Sequence, residues 1–484
     1  MLELGLADVI EGLTGWRPAA LDQPLTAAHM DSRQVVEGGM FFALRGEQMD
    51  GHDFIPQALA AGCRAVIAER APESGFSVMD ARDAMLFRQQ AAQQLSHQTI
   101  PDMPLCLLVS DSLGALQQLA DFWRTRHVVR VIGVTGSVGK STTKEMIAAV
   151  LSRRYRVLKS EKSINTATGL PLTLLRLTSA HERVVLEMGG GYELGEIAHL
   201  ARIARPHVGV VTNVGPSHLG RMGTIERIAL NKSELIESLP QDGVAILNAD
   251  DPLVLDMVPK AQGRVFLYGL TPQADLWADK VESHGLEGLR FRFNYGQETI
   301  HAKVPLIGRH SVHTALRAAA VGLVEGLSWQ EIMEGLRGTT QLRLVVVSGF
   351  NNSTILDDTY NSSPASAIAA LNLLDELKGR KIAVLGDMLE LGSCEESEHR
   401  KVGRRVTDVA DLLVTVGPRG RIIGEEALTL GMSSESIRIV QDNKAAIAHL
   451  RQVVEPGDII LIKGSRGMTM EQIVNALACQ ETEI

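Results

Sequence analysis

One stretch, Val131–Thr143, constrains the fold of this chain more than any other. It reads V-I-G-V-T-G-S-V-G-K-S-T-T. The apolar run Val128–Val134 predicts a buried strand. A turn carrying Gly133, Gly136 and Gly139 follows, and Lys140, Ser141, Thr142 and Thr143 open an amphipathic helix with Met146, Ile147, Val150 and Leu151 on one face. Strand, glycine turn and helix N-terminus together make a phosphate cradle. Residues without bulky side chains let backbone N–H groups converge on an anion, and the helix dipole adds to their field. Lys140 is placed to reach terminal phosphates and Ser141 to hold Mg²⁺. The strict phosphate-loop pattern has a glycine six positions before the lysine. Here that position is Val134, and the glycine stands one earlier, at Gly133. The plainer alternative is a strand-to-helix turn without a ligand.

A chain of 484 residues has room for about three domains. Its net charge of -9 argues against a nucleic-acid surface, which needs clustered Lys and Arg, but leaves room for a small anionic substrate. The four cysteines, Cys63, Cys106, Cys394 and Cys479, show no metal-like spacing and read as reduced core residues. The N-terminal residues lack a signal-peptide pattern, and no apolar run reaches membrane-spanning length. A cytoplasmic enzyme is the expectation.

Residues 1–110 alternate short strands and helices, as a small α/β domain does. Met40–Leu44 and Ala65–Ala68 are predicted strands, and Phe54–Ala61 a short helix. Ser32, Arg33, Gly46, Asp50, Gly51 and His52 sit in its loops, where polar residues are common without any ligand. Residues 111–126 predict a connecting helix capped by Asp111 or Ser112, with Leu113, Leu116, Leu119, Ala120 and Trp123 on one face. Residues 111–338 form the central domain. Beyond the glycine turn, V-V-L-E ends a strand at Glu187, V-G-V-V-T-N-V-G leads to Asn213 and His218, and V-A-I-L-N-A-D-D leads to Asn248 and Asp251. Strands that deliver polar groups to one edge build the ligand sites of doubly wound α/β sheets. A carboxylate at such a strand end suits Mg²⁺. Read alone, Lys232 is an ordinary solvated helix charge and His218 an ordinary loop histidine. Residues 265–305 look β-rich. Residues 339–484 read as a Rossmann-like βα domain. One strand ends in Asp357 and Asp358, and Ser363-Pro364 starts a helix. Further strands lie in Ile382–Gly392, Leu412–Gly417 and Ile459–Gly467, the last delivering Lys463, Ser465 and Arg466 to a helix start, a good place to meet an anion.

In order along the chain, these motifs resemble the Mur ligase family, the ATP-dependent amide-forming enzymes of peptidoglycan precursor synthesis. D-S-R and F-A-L-R-G followed by D-G-H-D-F carry the resemblance in the first domain. T-G-S-V-G-K-S-T-T, P-L-T-L-L, L-E-M-G, T-N-V-G-P-S-H-L, the Lys232 helix and L-N-A-D-D carry it in the second. D-D-T-Y-N-S-S-P, L-G-D-M-L-E-L-G and K-G-S-R-G carry it in the third. The D-N-P-R of the family branch that adds a diamino acid is absent. The third-domain motifs are similar to those of the branch that adds D-Ala-D-Ala.

The resemblance implies an α/β chain of three domains: a small UDP-binding domain, a central phosphate-loop parallel sheet and a C-terminal Rossmann-like domain. It places the UDP end of a UDP-MurNAc-tripeptide near Ser32, Arg33, Gly46, Asp50, Gly51 and His52. It assigns ATP to Gly136, Ser137, Val138, Gly139, Lys140, Ser141 and Thr142, with Asn248, Asp251, Arg343 and Asp358 also near the nucleotide. Ser141 and Glu187 would hold one Mg²⁺ and His218 a second. Lys232 matches a lysine that is carbamylated in several members. Lys463, Ser465 and Arg466 would line the D-Ala-D-Ala dipeptide or the reacting phosphate. The implied catalytic set is Lys140, Glu187, His218 and Lys232. The chemistry is transfer of a phosphoryl group from ATP to the tripeptide carboxylate and attack of the dipeptide amine on the acyl phosphate, by a monomer, serving cell shape and division. The family's G-x-H-N-x-x-N reads Gly308 to Thr314 here, with Ser311 and Thr314 in place of both asparagines. G-R-L reads Leu342-Arg343-Leu344, and N-N-x-x-G reads Asn165 to Gly169. The alternatives are a Mur-type ligase with another amine or acceptor, and a nucleotide-binding homologue without ligation.

Overall fold

The structure is a computed structural model. It describes all residues except 1, 19–20, 22, 47–48, 84, 86, 88–103, 162–163, 339–344 and 480–484. Arg343, expected at the nucleotide, therefore lies outside the described residues. The chain divides into two compact units. The first comprises Met1–Gly133, Tyr155–Gly189 and Ala198–His207, and the second Val134–Arg154, Gly190–Ile197 and Val208–Ile484.

In the first unit, β1 (Ala28–His29), β2 (Met40–Phe42), β3 (Ala65–Ala68), β4 (Ser77–Asp80) and β5 (Leu105–Leu108) form a sheet of order β1-β2-β3-β5-β4. All its pairings are parallel. Phe41, Val66, Ala68, Cys106 and Leu108 pack with Ile55 and Ala58 of the helix Ile55–Ala60 into one core. The connecting helix is Ser112–Thr125, capped by Asp111, whose carboxylate accepts the Leu113 N–H. It buries Leu116, Leu119, Ala120 and Trp123, while Leu113 is half-buried. It packs on the helix Leu6–Thr14, where a Cβ on Gly12 would come within 2.8 Å of Leu119 and Phe122.

The central sheet comprises β6 (Arg130–Thr135), β7 (Val157–Lys159), β8 (Arg183–Glu187), β9 (Val208–Val211), β10 (Val244–Asn248), β11 (Arg264–Gly269), β12 (Leu276–Ser283), β13 (Leu289–Tyr295) and β14 (Glu298–Val304). Its order is β14-β13-β12-β11-β10-β9-β6-β8-β7. β9, β10, β11 and β12 run parallel, and β13 and β14 extend the sheet antiparallel. The β-rich reading of residues 265–305 is realised in these last strands. The apolar run before the glycine turn predicts a strand from Val128, but Val128 is fully exposed and β6 opens at Arg130. The reason lies in Arg124. Its buried guanidinium donates to the carbonyls of His127 and Val129 and so holds that segment out of the ladder.

In the second unit, the helix Lys140–Leu151 buries Met146, Ile147, Val150 and Leu151 and packs on the helices Val312–Val324 and Trp329–Arg337. The third sheet comprises β15 (Val345–Gly349), β16 (Ser353–Asp358), β17 (Lys381–Gly386), β18 (Leu412–Val416), β19 (Ile437–Val440) and β20 (Ile459–Lys463), in order β15-β16-β20-β17-β18-β19. Only β15 runs antiparallel to its neighbour. Its strands are apolar on both faces. Leu356, Ala383, Leu385, Leu413 and Leu461 pack with residues of the helices Pro364–Glu376, Glu395–Thr407 and Gly417–Thr429. The alternate residues Ile355, Ile382, Val384, Val414 and Ile460 pack with Asn443–Val453 and Glu471–Leu477. Period-two alternation between two buried faces is the pattern of a doubly wound parallel sheet. The architecture is thus α/β with three sheets, as expected; the first is parallel, and the other two are parallel with antiparallel strands at one edge.

Candidate functional site

The glycine turn is shaped by contacts within the second unit. Gly136 has φ +135°, and a Cβ there would lie 2.0 Å from Thr212 Oγ1, so no other residue fits. Thr212 Oγ1 and Asn213 Nδ2 both donate to the Val138 carbonyl, at 2.7 and 3.0 Å. The Val138 N–H returns a bond to Asn213 Oδ1 at 2.9 Å. The Ser137 N–H donates to the Asn213 carbonyl at 2.9 Å, and Ser137 Oγ bonds both ends of Gly215. The segment after β9 therefore clamps the loop. Gly139, with φ +83°, caps the helix that Lys140, Ser141 and Thr142 begin. Lys140 Nζ donates to the carbonyls of Gly136 and Ser137 at 2.8 and 3.3 Å. Ser141 is buried. Backbone donors at a helix N-terminus, a glycine turn and one lysine make a polyphosphate site.

Asn248 and Asp251 follow β10. The Asn248 amide donates to the Thr212 carbonyl at 3.2 Å, and its carbonyl oxygen accepts the Asp250 N–H at 3.1 Å. Asp251 Oδ2 accepts the Val214 N–H at 2.8 Å. Its Oδ1 accepts the N–H groups of Leu253 and Val254, which caps the helix Pro252–Leu255. The Asp251 carboxylate thus braces the loop clamp from below. Asp251→Ala is expected to cost about 1–3 kcal/mol of stability, through the lost cap and the stranded N–H groups. Urea unfolding reads this, and an unchanged midpoint would show that the carboxylate is free for another role.

His218 and Lys232 also lie in the second unit. His218 takes a left-handed backbone (φ 55°), and its Nδ1 lies 2.5 Å from Glu390 Oε2. Burial pushes the His218 pKa down and the Glu390 charge opposes that, while Lys140 and Lys232 add to the lowering. Lys232, in the helix Ile225–Glu237, is buried, contrary to an ordinary helix charge. Its Nζ donates to the Gly190 carbonyl at 2.5 Å and to Asn231 Oδ1 at 3.0 Å. Burial, followed by the charge of Lys140, lowers its pKa to about 7 against the pull of Glu196 and Glu234. The third sheet delivers Asp358 and Lys463 as cross-strand neighbours. Lys463 Nζ is buried and donates to Asp358 Oδ2 at 2.6 Å and to the Asn361 carbonyl at 2.9 Å. Ser465 Oγ accepts the Leu389 N–H at 2.8 Å, and the Arg466 guanidinium stands 5.1 Å from the Tyr360 ring centroid.

In the first unit, Glu187 is buried at the end of β8, and Asn165 Nδ2 donates to its Oε1 at 2.8 Å. In the same unit Ser32 Oγ donates to Gln57 Oε1 at 2.8 Å, and exposed Arg33 pairs with Asp31. The Gly46 N–H closes a turn on the Met49 carbonyl. Asp50 Oδ1 accepts the His52 N–H at 3.0 Å and stands 2.6 Å from His52 Nδ1; His52 Nε2 accepts the Glu69 N–H. A Cβ on Gly51 would meet the Leu44 carbonyl at 2.6 Å. Ser32, Asp50 and His52 are therefore tied into a rigid frame, and the Arg33 side chain is the one that projects into solvent.

Among the described residues no group of three or more His, Cys, Asp and Glu is placed to hold a metal by itself. Mg²⁺ takes one or two protein carboxylates and completes its shell with phosphate and water. Glu187 offers such a carboxylate and Ser141 a hydroxyl. The positioning partners Asn165, Thr212 and Glu390 are not legible as such in sequence, because each meets its site residue across the fold.

Fold and loop together define a nucleotide-binding α/β protein. Three family models match the chain: "Mur ligase family, catalytic domain" over residues 25–102, "Mur ligase middle domain" over 134–322 and "Mur ligase, glutamate ligase domain" over 342–466. The UDP-N-acetylmuramoyl-tripeptide–D-alanyl-D-alanine ligase of Bacillus subtilis is 37% identical over 452 residues, 92% of each chain. The crystal structure of MurF from Acinetobacter baumannii superimposes with a TM-score of 0.83 at 28% identity over 98% of each chain. That of MurF from Thermotoga maritima in complex with ADP gives 0.76 at 28% identity, over 93% of this chain and 96% of that one. The chain belongs to the Mur ligase family, whose enzymes are ATP-dependent ligases.

Proposed function

We propose that this protein joins D-Ala-D-Ala to UDP-MurNAc-tripeptide, cleaving ATP to ADP and phosphate, and so makes the UDP-MurNAc-pentapeptide of peptidoglycan synthesis. The observation that carries this reading is the clamped glycine loop with Lys140 at its end, set in a chain similar over nearly its whole length to relatives of that name. The tripeptide's terminal carboxylate attacks the γ-phosphorus of ATP, the bond to the β-phosphate oxygen breaks, and ADP leaves. The dipeptide amine then attacks the acyl carbon of the resulting acyl phosphate, inorganic phosphate departs and the amine proton is lost. Both steps gather negative charge. Lys140 and the loop N–H groups stabilise it, and holding three substrates in line contributes about 7–11 kcal/mol of barrier lowering at best. Ser141 and Glu187 would hold one Mg²⁺ and His218 would stand at a second, and these ions would supply further charge neutralisation. Asn165 fixes the Glu187 carboxylate by donating to one of its oxygens.

The domains in this reading are 1–110 for the UDP end, 111–338 for ATP and 339–484 for the dipeptide end. Ser32, Arg33, Gly46, Asp50, Gly51 and His52 serve the first, Asn248, Arg343 and Asp358 the nucleotide, and Lys463, Ser465 and Arg466 the dipeptide or the reacting phosphate. The protein works as a monomer in the cytoplasm, where ATP and the UDP-linked peptide are found. Among the described residues no helix is long and apolar enough to cross a membrane.

Phosphate release from ATP and Mg²⁺, with tripeptide and dipeptide supplied separately and together, tests the assignment. Release only with both, and a pentapeptide product by mass spectrometry, is the expected result. Release with another amine or acceptor would move the protein to a different Mur-type reaction. No release in any combination, with ATP still bound, would make it a non-catalytic homologue.

A further inference from the structure

The helix Val312–Val324 is apolar and alanine-rich, yet carries Arg317 on its buried side, only 4% exposed. Arg317 Nη2 donates to Thr314 Oγ1 at 2.9 Å, while Nε has no hydrogen-bond partner. Among the described residues no carboxylate lies within 4.0 Å of the guanidinium. A charge buried without a counter-ion is costly, and a side chain that keeps one is usually matched by an anion.

The surroundings point to which anion. A Cβ built on Gly139 would lie 3.6 Å from Arg317 Nη2 and 4.0 Å from Nη1, so the guanidinium stands against the glycine that caps the phosphate-loop helix. Its carbon is 6.0 Å from the ring centroid of Tyr268. The Tyr268 hydroxyl donates to the Thr212 carbonyl at 3.1 Å, beneath the segment that clamps the loop. Thr314 and Tyr268 therefore aim a planar, fixed-charge donor at the edge of the polyphosphate cradle. Guanidinium pairs with phosphate through two parallel N–H donors and keeps its charge at all working pH values.

We propose that Arg317 is a nucleotide-binding residue, pairing with a phosphate of the bound ATP or ADP alongside Lys140. This rests on the reading of Val131–Thr143 as the nucleotide site and adds a cation that the loop motif does not contain. The test uses the full chain as wild type, Arg317→Met and Arg317→Lys, titrated calorimetrically with ADP and with adenosine, with melting temperatures recorded without ligand. Arg317→Met should weaken ADP binding by about 10–100-fold. Adenosine binding should change less than about threefold, and Arg317→Lys should fall between wild type and Met. The ligand-free melting temperature of Arg317→Met should not drop, because an uncompensated buried charge is gone. ADP affinity unchanged in both variants would overturn the proposal, as would equal losses for ADP and adenosine. If Arg317→Met does not fold, Arg317→Lys decides, and wild-type ADP affinity in it would make the residue structural. A wild-type protein that binds no ADP would instead overturn the nucleotide site itself.

Discussion

Lys140→Ala is expected to lower ATP-dependent turnover by about 10³-fold while leaving the folded protein nearly as stable as before. Stabilising groups aimed at developing charge are worth about two to three orders of magnitude each, and in phosphoryl transfer a single cation can be worth more. Lys140 Nζ donates to the carbonyls of Gly136 and Ser137, and the residue is half-buried. Bonds of this kind on a half-buried side chain are solvent-screened, each worth about 1 kcal/mol or less. The loop keeps its shape without the lysine, because Thr212 and Asn213 bond Val138 and Ser137 bonds Asn213 and Gly215. Turnover measured by phosphate release and stability measured by urea unfolding separate the two effects. Turnover within tenfold of wild type would sink the assignment of Lys140 to the phosphates. A collapsed unfolding midpoint would make it a loop brace.

The loop was legible in the sequence because its determinants are local. An apolar strand, a glycine at a left-handed cap and a helix signal lie within a few residues of one another, and local sterics decide them. The third sheet was legible for a related reason: strands buried on both faces read as continuous apolar runs, as in Ile459–Lys463. β15 was not read, being an antiparallel edge strand with Val345 and Val346 exposed. β19 escaped because I-R-I-V is short and interrupted by a charge. The side chains that position the site were hidden for another cause. Asn213 meets Val138, and Glu390 meets His218, across long separations, so only the packed fold brings them together. Arg317 did leave a signal, a lone charge inside A-L-R-A-A-A, where an alanine-rich buried helix gives an arginine no reason to sit.

Lys232 shows how far burial can overturn a sequence reading, and its replacement is the second large expected effect. In the pattern I-E-R-I-A-L-N-K-S-E-L-I-E it is one charge among several, yet its amine is buried and its pKa falls to about 7. The sign of the linkage follows. The unfolded chain holds this proton up to its ordinary value near 10.5, whereas the folded chain releases it near 7. The group therefore disfavours folding most below pH 7, and its contribution to stability improves as pH rises from about 7 to 10.5. The same shift makes a neutral amine available near neutral pH. A neutral amine adds to carbon dioxide and loses a proton, giving a carbamate anion, whereas an ammonium has no lone pair for that bond. If Lys232 serves the reaction as a carbamate, Lys232→Ala should lose turnover by about 100-fold or more, the scale of one misplaced charge at a phosphoryl-transfer site. Added short carboxylates should restore part of it by refilling the space with an anion. Wild-type protein given ¹³C-bicarbonate should show a carbamate carbon resonance that grows as pH rises through 7 and is missing in the variant. Full activity in Lys232→Ala would leave the lysine as a buried helix residue with no part in the chemistry. Lost activity with neither rescue nor resonance would make it a positioning amine, acting through its bonds to the Gly190 carbonyl and Asn231.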